Sequence, residues 1–365
     1  MELFNAAGTA SRLRASPLLA IGPSEPRPAL RRGALVAVPV GLALLLELGL
    51  NSATKGAIGT GALLAGFPGL DAPARARAAW QAAVAPLIGL AAALGVLSGS
   101  SALPAVVAIA VVGAVAGYCF SVSLRFSIAG LSVALALVIA QDLPLDLGDL
   151  GAAFLLATAG GLLQAAFSAC VWIAGDRSEE GGAEGWNTRA ALRALSSNLS
   201  LSSTSFRHGL RFGAALATGV SVYWLIGMHE HGFWIPLTIL FVLRPEKEET
   251  FRRLILRAVG TAAGLIFATA LAEWLGGNGV AVAVALTIAT GFAYGLLTVQ
   301  YALFTAAITT YAVLLADSIG ETALHAAGQR AIATAIGIAI AGASFLLWPN
   351  RGEGLPARPT ASQRA

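Results

Sequence analysis

Long apolar runs alternate with short polar loops along this chain. The runs fall near 33–50, 52–70, 80–98, 103–122, 126–141 and 150–174. A polar stretch occupies 176–206, and six more runs lie near 209–228, 232–243, 255–275, 279–299, 301–316 and 328–348. None shows the two-residue alternation of a half-buried strand, and most approach the roughly 20 residues that a helix needs to cross a bilayer. Backbone groups within hydrocarbon must bond inside their own segment, so helices are the form these runs take. The pattern predicts an all-α membrane protein with about 12 transmembrane helices. Two runs, 52–70 and 232–243, are short or interrupted by glycine and proline, and each is the second of its set of six.

Composition agrees. Hydrophobic residues make up 57% of the chain and charged residues 12%, against roughly 25% charged in a soluble domain, and mean hydropathy is +0.76. The net charge of +4 does not point to nucleic acid, because the bases sit in short loops between apolar runs. With the N-terminus in the cytoplasm and one crossing per run, only Lys55 and Arg330 of the 23 Lys and Arg residues fall outside cytoplasmic segments. Arg207, Arg211, Arg244 and Arg253 mark that face, and both termini lie there. PLLAIG is too short for the apolar core of a signal peptide. Cys119 and Cys170 lie inside apolar runs and read as small packing residues rather than a disulfide or metal pair.

The halves repeat. Arg27, Leu30, Arg31 and Gly33 match Arg207, Leu210, Arg211 and Gly213 at constant spacing. After a short gap, Arg77 matches Arg253, Tyr118 matches Tyr294, and Gly161, Ser168 and Trp172 match Gly337, Ser344 and Trp348. Six crossings per half is an even number, so the halves are two parallel six-helix repeats related by a pseudo-two-fold along the membrane normal. The organisation expected is a cytoplasmic segment at 1–32, a first repeat at 33–175, a linker at 176–206, a second repeat at 207–349 and a disordered tail at 350–365. In the linker, Leu192, Leu195 and Leu199 share one face of a short amphipathic helix, suited either to the membrane surface or to the bundle.

Enzyme signatures are missing: there is no Walker loop, GxSxG elbow, HExxH or CxxC, and GAIGTG at 56–61 lacks the strand and acid of a dinucleotide loop. No enzyme, cofactor or metal site is expected; HEH at 229–231 has no further ligands in view. The short second segments are the informative ones, because interrupted helices at matching places in two halves point to a transporter's binding site. The plain alternative is close helix packing, the reading preferred for the GxxxG spacings Gly113/Gly117, Gly260/Gly264 and Gly291/Gly295. Lys55 and His231 align at the outer ends of those segments and would suit an anion, or snorkel to the interface. Arg330 is open to the same two readings. Carboxylates in a dry pocket can carry protons, and Asp317 and Glu273 are the candidates for coupling. The loop 244–257, dense in both charges, is a lipid-phosphate anchor or a funnel for anions.

One stretch carries a resemblance. NLSLSSTSFRHGLRFG, followed by GFWIPLTILFVLRPEKEETFRRLILRAVGTAAG, resembles the fusaric acid resistance, or aromatic acid exporter, family. The matching features are Arg207, His208 and Arg211 at a helix entry, Trp234 before a short helix, Thr238, Pro245 and Thr250, and then Arg257, Gly260, Thr261 and Gly264. The first half lacks the tryptophan and has Gln81 in place of Arg257. The resemblance implies proton-driven export of aromatic or other organic carboxylates from a bacterial inner membrane. An organic-anion channel and a non-transporting scaffold are the competing functions. The substrate-path candidates are Lys55, Gly59, His231, Trp234, Pro236, Thr238, Arg257 and Tyr294. The partners implied are the lipid bilayer and a small organic anion, with no nucleic acid; a second copy or an accessory export subunit stays open.

Overall fold

The structure, a computed structural model, describes residues 26–47, 56–143, 145–174, 188–228, 231–297, 299–318 and 321–347. Lys55, the first two residues of HEH and the segments before 26 and after 347 lie outside the described residues. Thirteen α-helices and no strand occur among the described residues. The first six are α1 (Pro26–Glu47), α2 (Ala57–Gly66), α3 (Ala74–Ser98), α4 (Ala102–Tyr118), α5 (Leu124–Asp142) and α6 (Leu150–Ile173). The linker helix is α7 (Thr188–Ser197). Six more follow: α8 (Thr204–Leu225), α9 (Trp234–Val242), α10 (Lys247–Leu275), α11 (Gly279–Leu296), α12 (Tyr301–Ser318) and α13 (Ala323–Leu347). Among them α1, α3–α6 and α10–α13 are long and apolar enough to cross a bilayer, nine candidate spans among the described residues.

Local chemistry sets the ends. Ser123, Ser203 and Asn278 each accept a backbone N–H of the helix they precede, starting α5, α8 and α11. α10 stops at Gly276, whose φ of 59° lies in the left-handed region. The second helix of each set is short, ten residues in α2 and nine in α9. At about 1.5 Å per residue these reach roughly 15 and 13 Å, half of the hydrocarbon core. α9 ends because Leu243 turns extended ahead of Pro245. Thr250 then ties the corner: its Oγ accepts the Arg244 N–H at 2.9 Å.

Packing follows one scheme in both sets. α3 packs on α5 and α6, and α10 on α12 and α13; α2 packs on α6, and α9 on α13. The sets clasp each other through their first and fourth helices, α1 against α11 and α8 against α4. Small residues make the clasp close. A Cβ on Gly33 would sit 2.4 Å from the Gly291 carbonyl, and one on Gly213 would sit 2.4 Å from that of Ala110. All three GxxxG pairs face a neighbouring helix in this way. Large apolar side chains cover the outside, among them Leu90, Val111, Ile255, Ile266 and Trp274. Exposed to water that belt would be unsupportable; against lipid it is at home.

Candidate functional site

Into the apolar interior of the second set the sequence places two arginines. Arg257 comes from α10 and Arg330 from α13, and both are fully buried. No carboxylate pairs with either among the described residues. The three nitrogens of Arg257, and Nε and Nη1 of Arg330, make no well-formed hydrogen bond. Aromatic rings flank them instead: the Arg257 guanidinium lies 5.5 Å from the centre of Phe241, and that of Arg330 lies 5.2 Å from the centre of Trp234. Phe241 and Trp234 belong to α9, so the short helix bridges the two cations. Each arginine feels Tyr301, and Arg330 feels the charge of Arg257.

A seam of hydroxyls accompanies them. Thr261, Thr305, Thr309 and Thr334 are buried, and their Oγ atoms lack a partner. Gly260 and Gly264 bring α10 onto Thr305 and Thr309 of α12; a Cβ at either glycine would come within 2.8 Å of a threonine Cβ. Buried polar groups normally find partners. Here most of the guanidinium nitrogens and four threonine hydroxyls lack a well-formed bond, a donor set that matches the chemistry of an acceptor-rich, negatively charged group.

Where α9 runs into α10 a cavity of about 480 Å³ opens. Arg244, Arg252, Arg253 and Tyr301 give it a cationic side, tempered by Glu249. Glu249 bonds Arg252 at 3.0 Å and Arg253 at 2.7 Å, while Arg253 also covers Tyr301 at 4.5 Å. Arg244 has no carboxylate within ion-pair distance among the described residues, and its guanidinium donates to the Leu243 carbonyl at 3.3 Å. Burial, with Arg253 beside it, pulls its guanidinium down to about 9 in spite of Tyr301, Glu249 and Glu246.

At the opposite end of α9, His231 pairs with Glu321. Its ring stacks on Trp234, with centres 4.2 Å apart and planes 7° from parallel. Its φ of 63° makes it the one non-glycine residue with positive φ among the described residues. His231, Trp234, Pro236, Thr238 and Arg257 therefore occupy one half of the bundle. Thr238 Oγ donates to the Trp234 carbonyl at 2.9 Å, and Gly337 packs against Thr238. Gly59 and Tyr294 lie elsewhere. Gly59 opens α2, where its N–H and that of Ile58 donate to the buried Glu47 at 3.2 and 2.6 Å. Tyr294 on α11 donates to the Leu63 carbonyl at 2.6 Å, joining the two sets. Asp317 lines a second, smaller cavity with Glu47, whereas Glu273 is exposed on the surface. Arg207 is half-buried at the start of α8. Arg211 is buried, donates to the Pro245 carbonyl at 3.3 Å and covers Phe345 at 3.7 Å. Both cysteines are free thiols.

Sequence reasoning did not place Arg330 and the threonine seam in the site. A lone arginine near the end of an apolar run reads as snorkelling. The signal was there: Arg330 is one of two bases outside the segments expected to be cytoplasmic, and Thr305 and Thr309 are one helical turn apart.

The family described as fusaric acid resistance protein-like matches residues 215–343. Inner membrane protein YccS of Escherichia coli is 36% identical over 158 residues, 43% of this chain and 22% of YccS. The uncharacterized protein slr1298 of Synechocystis is 34% identical over 157 residues, 40% of this chain and 19% of that protein. The chain thus matches about a fifth of the length of these relatives. No solved structure matches. The stretch that supplies Trp234, Arg257 and Arg330 is similar to the fusaric acid resistance protein-like family and lies in a multi-pass membrane protein.

Proposed function

We propose that this protein moves organic carboxylates outward across a bacterial inner membrane, with protons as the driving ion. One observation carries the reading: Arg257 and Arg330 are buried cations with no carboxylate partner among the described residues. Burying a charge without a partner costs several kcal/mol, and inside a membrane such a residue points to function. A passing anion supplies the missing partner. The basic cavity at Arg244 and Arg253 is then the cytoplasmic entry, and His231 with Trp234 is the outer end of the path.

The shared packing scheme of the two sets supports two six-helix repeats about a pseudo-two-fold, with α2 and α9 as short crossings and α8 as the remaining full one. Both termini then lie in the cytoplasm. The name of YccS, an inner membrane protein, fits this placement. Asp317, beside Glu47 in the outer cavity, is the better placed of the two proton-coupling candidates, since Glu273 faces outward.

Growth of cells with and without the protein on a panel of aromatic and aliphatic weak acids tests this. The protein should raise tolerance to at least one acid class. Arg257→Gln and Arg330→Gln should each abolish that gain while the protein still reaches the membrane. Unchanged tolerance in both variants would remove the arginines from the path.

A further inference from the structure

The entry cavity has two unlike walls, contributed by different halves of the chain. The second half brings the charge, Arg244, Arg252 and Arg253 with Glu249 against them, and the phenol of Tyr301. The first half brings Phe67, Phe120 and one face of α5, where Leu124, Ile128, Leu131 and Leu135 recur at helical spacing. Among the described residues no charged side chain of the first half lines the cavity; Ser127 and Ser132 are its polar members there. The first half also holds Gln81, buried with neither end of its amide bonded, at the repeat position of Arg257. The contribution of the first half to this cavity is therefore shape, a mostly apolar surface and two hydroxyls, without charge.

We propose that the α5 face, with Leu131 at its centre, selects the substrate, and that it selects amphipathic monoanions: one acidic head against Arg244, one apolar body against α5. The inference rests on the anion-transport reading above. Glu249 already occupies Arg252 and Arg253, which leaves Arg244 as the cation of the cavity with no carboxylate partner among the described residues. A compact dicarboxylate would set its second charge against a wall that offers two serine hydroxyls, Ser127 and Ser132, among leucines and no cation to repay its desolvation. An aromatic or branched apolar body instead gains from leaving water. Specificity thus resides in the half that lacks the arginines, and the two halves divide recognition between them.

Purified full-length protein, titrated with benzoate, 2-naphthoate and succinate by calorimetry, tests the assignment. Wild type should bind 2-naphthoate more tightly than benzoate and show no heat with succinate. Leu131→Trp, which fills the apolar wall, should weaken 2-naphthoate by about tenfold or more relative to benzoate. Leu131→Ala should shift the ratio the other way, so a folding defect in one variant leaves the other decisive. Arg244→Gln should weaken both monoanions alike. If wild type binds the monoanions and neither Leu131 variant changes their ratio, the α5 assignment fails and the anion reading stands. Tight succinate binding overturns the monoanion class. If wild type binds none of the three, the anion reading falls with it.

Discussion

Arg330 is poorly supported for a charged side chain: buried, flanked by Trp234, repelled by Arg257 and bonded to no carboxylate among the described residues. A group kept for stability would not be placed so. Replacing it with an apolar chain of similar length should therefore help the fold and harm the function. Arg330→Met is expected to raise stability in detergent by about 1–4 kcal/mol, read from thermal unfolding, while transport is lost. Destabilisation would instead mark Arg330 as a structural cation. Arg244 makes a second prediction. Its folded-state guanidinium titrates below its ordinary range, near 9, because burial and Arg253 disfavour the charge. A bound anion favours the charged form, so binding takes up a proton and affinity falls as pH rises through about 9. Benzoate titrations across that range should lose affinity in wild type, and the slope should flatten in Arg244→Gln.

At the scale of elements, the site depends on how closely α10 and α12 approach. Gly264 faces Thr309 so tightly that a Cβ would meet its Cβ at 2.8 Å. Gly264→Leu should cost about 1–3 kcal/mol by overpacking, measured by thermal unfolding, and should separate Thr261 from Thr309. Unchanged stability would show that the helices are free to part. Much at this scale was readable in advance. Run length and polar breaks located the helices, and proline at 236 and 245 marked a short α9. Two things were not readable. The α1 helix starts at Pro26, inside a polar, proline-bearing stretch whose pattern carries no apolar signal. The role of Tyr294 as a hydrogen-bonded tie to Leu63 depends on a contact between distant segments that periodicity within one helix does not encode.

Across the whole molecule the halves share a packing scheme but not a chemistry. Gln81 stands where Arg257 would repeat, and the buried unpartnered cations lie in α10 and α13. The apolar runs that hold these side chains were legible. The convergence of Arg257 and Arg330 was not, because 73 residues of chain separate α10's arginine from α13's and only the fold brings both against α9. The reading therefore turns on whether an anion passes these two side chains. Tracer flux of benzoate in proteoliposomes at mildly alkaline pH, with and without an imposed proton gradient, measures this directly. Wild type should carry benzoate faster than protein-free vesicles and respond to the gradient, and Arg257→Gln and Arg330→Gln should each fall to the protein-free rate. Wild-type flux in both variants would contradict the account.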